Sequence, residues 1–144
     1  MIGGARGAPG ARLALALAFA TIAASKSCPS DTPERLPNGS WGGQHIGLVA
    51  TDTGAKIEYD CAAGTIAGPL RLGAHGEFDW NGIHYPGHGG PVRIDEPPNA
   101  HAARYTGRAD AESMDITLTL LDGSAPPQTF TLKRGANAFV FKCL

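Results

Sequence analysis

The sequence predicts an all-β protein: a single antiparallel up-and-down β-barrel, or a strongly curled sheet, of about eight short strands. Three observations carry that expectation. Apolar and polar residues alternate with period 2 through several runs, the mark of strands with one buried face. Glycine (20 residues) and proline (11) separate those runs, and no stretch beyond the first 25 residues sustains a 3.6-residue period, which argues against helices. The runs follow one another through short turn signals. Sequential hairpins favour a meander that closes on itself over a sandwich.

Residues 1–25 read as a signal peptide. Arg6 and Arg12 supply positive charge, Leu13 to Ala24 is an apolar run, and Ala23-Ala24-Ser25 offers small residues for cleavage. The run is short for a membrane span. The mature chain is therefore expected outside the cytoplasm, periplasmic or extracellular. Cleavage removes the two arginines and no acid, which leaves 10 basic and 13 acidic side chains and a net charge of −3. A chain of that sign is not expected to bind nucleic acid, whose phosphates call for a basic surface. The remaining residues suffice for one domain with its own core.

Residues 26–39 hold three prolines and Asn38-Gly39 and read as a flexible tether before a single β domain, residues 40–144. Cys28 lies just after the signal. Ser27 suits a lipoprotein signal, but Ser25 and Lys26 do not. The expectation is a free or intermolecular thiol. Lipidation of Cys28, and with it a membrane attachment, is the alternative.

Order begins at Ser40-Trp41. Ile46, Leu48 and Ala50 alternate with polar or small residues. Asp52-Thr53-Gly54 signals a turn, and Ile57, Tyr59 and Cys61 alternate against Lys56, Glu58 and Asp60. A turn centred on Thr53-Gly54 sets Ala50 opposite Ile57, Leu48 opposite Tyr59 and Ile46 opposite Cys61. A slip of one residue would bury Asp60, at a cost that needs a partner to offset it. Cys61 is thus expected to face the core. Thr65-Ile66 and Pro69 to Leu72 are short strand candidates. Glu77 to Trp80 alternates, with Phe78 and Trp80 inward. Asn81-Gly82 suggests either a hairpin turn or a bulge in one continuous strand. A bulge would turn Ile83 and Tyr85 inward and His84 outward. Residues 86–98 form a long loop rich in glycine and proline, a common home for function. His101 to Arg108, Met114 to Leu121 and Thr129 to Lys133 complete the meander. Phe139 to Leu144 reads as the last strand, with Phe139, Phe141 and Cys143 inward.

Two inward cysteines, on an early and a late strand of an exported chain, predict a Cys61–Cys143 disulfide that ties the ends of the closing sheet. Its loop entropy would contribute about 3–4 kcal/mol.

Trp41-Gly42-Gly43-Gln44-His45-Ile46, Tyr59-Asp60-Cys61-Ala62-Ala63-Gly64-Thr65-Ile66, Gly89-Gly90-Pro91, Tyr105-Thr106-Gly107, Phe130-Thr131-Leu132 and Lys142-Cys143-Leu144 together resemble a family of small secreted bacterial proteins of unknown function. The resemblance spans residues 40–144. It implies export and a bacterial origin, and it transfers no catalytic residue. Gly39-Ser40-Trp41 also resembles the opening of lipocalin-like and avidin-like barrels.

Candidate chemistry is sparse. His84 and His88 have a zinc-like i, i+4 spacing, but Pro86-Gly87 excludes the helix that this spacing requires, so no metal site and no cofactor are expected. No Gly-x-Ser-x-Gly elbow occurs, and Glu58 and Asp60 share a face expected to be solvated. The sequence leans towards a non-enzyme. Trp41, Trp80, Tyr85 and Tyr105 would line one end of a hollow barrel, with His88 and Arg93 from the 86–98 loop acting as a lid, or these aromatics simply fill the core. The expected role is binding of a small molecule or a protein. The alternatives are a small hydrolase or metal-dependent enzyme centred on the 86–98 loop, and a structural envelope protein or lipoprotein anchored at Cys28.

Overall fold

Eight antiparallel strands close into one barrel in sequence order: β1 Gly39–Gly43, β2 Ile46–Thr51, β3 Gly54–Tyr59, β4 Ala62–Ala67, β5 Glu77–Pro86, β6 His101–Ala109, β7 Ser113–Leu120 and β8 Gln128–Arg134. The computed structural model describes residues 34–91 and 93–144, together with the separate glycines Gly3, Gly4, Gly7 and Gly10. Apart from those glycines, the expected signal peptide lies outside the described residues, as does Cys28. Closure comes from β1 against β8, where Trp41 faces Arg134, Gly42 faces Lys133 and Gly43 faces Leu132.

The β2–β3 hairpin turns on Asp52-Thr53, so Ile46 pairs with Tyr59, Leu48 with Ile57 and Ala50 with Ala55. Each partner is shifted by two residues from the expected register. A shift of two preserves the face, so all six side chains still point inward. Cys61 does not. It sits in the turn after β3 with φ +52° and is exposed. The alternation that points it inward stops where the strand stops, at Tyr59.

β5 is continuous through Asn81-Gly82 and has no bulge, because it pairs in unbroken register with β4 and with β6. Trp80, Gly82 and His84 therefore share the inner side. Ile83 and Tyr85 face out, the reverse of the expected orientation. Gly82 is glycine for space: a Cβ there would lie 2.7 Å from the Tyr105 ring and closer still to the Thr65 carbonyl.

The inside is filled by side chains. Trp41, Ile46, Leu48, Ile57, Tyr105, Met114, Ile116 and Leu132 are all at most 1% exposed. Burial of one such side chain stabilises by about 1.5–3 kcal/mol relative to leaving it in water. Phe78 and Trp80 stack with centroids 3.9 Å apart, and Trp80 Nε1 donates to the Arg71 carbonyl (2.9 Å). At one end, the floor, Leu36, Leu70 and Leu72 are buried. Arg35 bridges to Arg71, and the Leu36 amide donates to the Leu70 carbonyl (2.8 Å). The described end of the expected tether is therefore packed. Leu36, the one leucine of an otherwise polar, proline-rich stretch, joins Leu70 and Leu72 in the floor.

Phe139–Leu144 is not a ninth strand. The β1–β8 seam has already consumed both free edges, so the chain turns at Gly135 (φ +71°) and doubles back outside the barrel. Phe139, Phe141 and Cys143 consequently face solvent rather than the core. The seat for this strap is a pair of facing glycines on the outer side of β1 and β2, Gly42 and Gly47. A Cβ on Gly42 would run into the Asn137 backbone (2.5 Å), and one on Gly47 would meet the Ala138 methyl (2.7 Å).

Gly82→Val is expected to destabilise the barrel by about 1–3 kcal/mol through overpacking against Tyr105. Urea titration checks this; an unchanged midpoint would show that the ring has room to move.

Candidate functional site

The barrel end opposite the floor is a rim formed by the β1–β2 turn, the β3–β4 turn, the 87–100 loop and the β7–β8 turn. The strap, residues 136–144, runs along this rim. The Phe139 carbonyl accepts from the His45 amide (2.8 Å), and the Phe139 amide donates to the Gly43 carbonyl (3.0 Å). Two residues on, the Phe141 carbonyl accepts from the Cys61 amide (3.1 Å), and the Phe141 amide donates to Asp60 Oδ1 (2.7 Å). The Cys61–Cys143 disulfide, with Cα atoms 4.9 Å apart, follows directly. The strap ends near Gly89, where a Cβ would meet the Leu144 carbonyl at 2.6 Å. The expected disulfide is thus present, but it pins a segment outside the sheet and takes no part in closing it.

Asp60 organises the rim. Its Oδ1 receives the Phe141 amide, and its Oδ2 lies 2.5 Å from His45 Nδ1. The Phe141 amide, and after it His45, hold the Asp60 carboxyl below its ordinary value. The His45 and Phe141 rings lie 5.9 Å apart. Phe139 and Phe141 remain 61% and 67% exposed. A groove of about 430 Å³, lined by Val49, Lys56, Glu58 and residues 136–138, flanks one side of the strap. A second, of about 280 Å³ and lined by Gly43, Gln44, Thr131 and Phe139, flanks the other.

The residues singled out from the sequence do not form one site, although Tyr85 and His88 together line a shallow groove of about 210 Å³ with Glu96 and Pro97 of the loop. Trp41, Trp80 and Tyr105 are buried in the interior, with Trp41 Nε1 donating to the Pro37 carbonyl (3.3 Å) and the Tyr105 hydroxyl 3.5 Å from the Ile83 carbonyl. Tyr85 faces outward beside the loop, and His88 and Arg93 are exposed on it. His84 lies inside, its ring 5.2 Å from that of Tyr59, whereas His88 lies outside with Nε2 3.5 Å from Glu96. The two histidines therefore point to different environments. Among the described residues, no group of three or more His, Cys, Asp or Glu side chains stands close enough to hold a metal ion.

Two further arrangements have chemical content. Tyr59 Oη and His84 Nδ1 are both buried without a hydrogen-bond partner. Burial, and then the neighbouring Tyr105, push the Tyr59 phenol up; burial, and then His101, push His84 down. In each case burial disfavours the charged form. His101, at the start of β6, meets Asp122 and Ser124 of the β7–β8 turn. There, His101 Nδ1 contacts both Asp122 Oδ2 (2.5 Å) and Ser124 Oγ (3.4 Å). A nucleophile triad needs the carboxylate and the hydroxyl on opposite ring nitrogens. Here both share one nitrogen, and the Ser124 amide donates to Asp122 Oδ1 (2.9 Å), so the cluster caps a turn.

Sequence reasoning missed the strap. The available signal was Gly42 and Gly47, two glycines facing each other in otherwise apolar strands. Comparison with protein-family models, curated proteins and solved structures found no match for the chain.

Because the folded-state value of Asp60 is depressed, its hold on the strap is present above the ordinary carboxylate value of 3.8 and is lost as the pH falls below it. The Phe141 amide is expected to be protected, relative to the intrinsic exchange rate at each pH, at neutral pH and to lose that protection as the pH falls below that point. Asp60→Asn should show that loss already at neutral pH; equal rates in both proteins would remove Asp60 from this role.

Proposed function

We propose that the mature chain is an exported, non-enzymatic interaction module that docks a protein partner through the disulfide-pinned strap. One observation carries the reading: Phe139 and Phe141 stand 61% and 67% exposed on a segment held by four hydrogen bonds and a covalent link. Isolated exposed apolar side chains are common and need no explanation. Two phenylalanines on one anchored segment, with a groove on each side, are a different matter. Rigid aromatics lose little freedom on binding and are frequent anchors of protein interfaces. A barrel already filled by Trp41, Tyr105 and their neighbours favours an external site over an enclosed apolar ligand. The disulfide suits an oxidising compartment, and with the Arg6–Ser25 signal pattern it supports export.

A photo-activatable residue at position 141, in cells that export the protein, is expected to yield one dominant protein adduct. The same probe at Ala111, on the turn at the floor end, should not yield it. Phe139→Ser should abolish the adduct while changing stability by less than about 0.5 kcal/mol, since the ring is solvent-exposed. The same adducts from both positions would overturn the reading.

A further inference from the structure

We infer that the Cys61–Cys143 disulfide is a redox latch: a dithiol reductant frees the strap from the rim while the eight-stranded barrel stays closed. The consequence for partner binding rests on the docking role of the strap, but the latch itself does not.

Three features of the geometry carry the inference. The disulfide lies outside the hydrogen-bonded ladder. Barrel closure runs through Trp41–Arg134, Gly42–Lys133 and Gly43–Leu132, and none of these pairs involves either cysteine or the strap. Both cysteines are exposed, so a reductant can reach the bond. The two halves of the bond are also held unequally. The Cys61 amide donates to the Phe141 carbonyl of the strap, but its own carbonyl accepts from the Gly87 amide (2.6 Å), which ties that cysteine to the end of β5 independently of the strap. Cys143 belongs to a tail whose backbone bonds to the rim end at Phe141. Once the sulfur link opens, Cys61 stays and Cys143 leaves.

What then holds the strap is small. Phe139 and Phe141 are largely in water, so little apolar surface is lost when they detach, and the remaining hydrogen bonds lie at turns open to solvent. Gly135, at φ +71°, supplies the hinge where the strap leaves β8. Release uncovers the Gly42–Gly47 seat and the Asp60 carboxylate.

The chemistry balances as ordinary thiol–disulfide exchange. One thiolate of the reductant attacks a sulfur of the cystine, forming a mixed disulfide and expelling the other cysteine as a thiolate, which takes a proton. The second thiol of the reductant, as its thiolate, closes on the first and expels the remaining cysteine, which is protonated in turn. Two electrons pass from dithiol to cystine, and the reductant departs as a cyclic disulfide.

The test uses the full mature chain carrying Cys28→Ser, so that no third thiol enters the exchange. Native-state hydrogen exchange is compared with and without dithiothreitol. The amides of His45, Cys61, Phe139 and Phe141 are expected to exchange about tenfold faster, or more, after reduction. Amides of β5, β6 and β7, such as those of Trp80, Tyr105 and Ile116, should change less than about twofold. Reoxidation should restore the first group, and Cys143→Ser should reproduce its behaviour without reductant. Slow strap amides after reduction would overturn the latch. So would an equal acceleration across β5–β7, or a Cys143→Ser chain that fails to fold, because the disulfide would then hold the whole barrel. No partner enters this readout. A negative cross-linking result at position 141 therefore bears on docking alone, and unchanged strap amides bear on the latch alone.

Discussion

The hydrogen-bonded seam between β1 and β8 is the constraint on which the rest of the molecule depends. Once Gly43 faces Leu132 and Trp41 faces Arg134, the sheet has no free edge. Closure removes the aggregation hazard of an unpaired strand. It also confines every inward side chain to one interior, which Trp41, Tyr105, Met114 and their neighbours fill. Any chain that follows β8 must then travel outside. The strap is a direct result: it has nowhere to pair as a ladder strand, and it is seated where two facing glycines leave the outer surface flat.

Polar chemistry is distributed in accord with that division. Inside, the Trp41 and Trp80 indole N–H groups are spent on backbone carbonyls towards the floor, while Tyr59 and His84 lie towards the rim, where burial disfavours their charged forms. Outside, carboxylates do mechanical work. Asp60 fastens the strap, Asp110 receives the Glu112 and Ser113 amides in the β6–β7 turn, and Asp122 receives the Ser124 amide in the β7–β8 turn. Each accepts backbone N–H bonds, and each is held below its ordinary value chiefly by the hydrogen bonds it accepts. In these three the depressed value follows from turn geometry, whereas Asp79, within β5, is held low by the Arg104 guanidinium.

Alternation was a reliable guide within strands and misleading at their ends. Ile46 to Ala50 and Met114 to Leu118 declare their faces because period 2 has no other common cause in chains of this composition. Cys61 and Phe139 to Cys143 follow the same period, yet they lie where the ladder has already stopped. Asn81-Gly82 resembles a turn in isolation. It is held straight by β4 and β6 on either side, and its glycine is explained by the Tyr105 ring of the adjoining strand β6. The cysteine pairing was legible although the direction of both side chains was not, since the bond requires the two side chains to converge on each other and does not require that they do so inside the core.

By itself, the sequence determined the class of fold, the meander order and the partnership of Cys61 with Cys143. Local periodicity and turn chemistry are properties of short segments, and they survive without knowledge of what lies across the barrel. Only the tertiary structure decided that the interior is filled, that His84 points inward, and that the last nine residues form an external strap bearing two exposed phenylalanines. These depend on which strand meets which, and in particular on β1 meeting β8. That pairing joins residues about 90 positions apart and leaves no local trace.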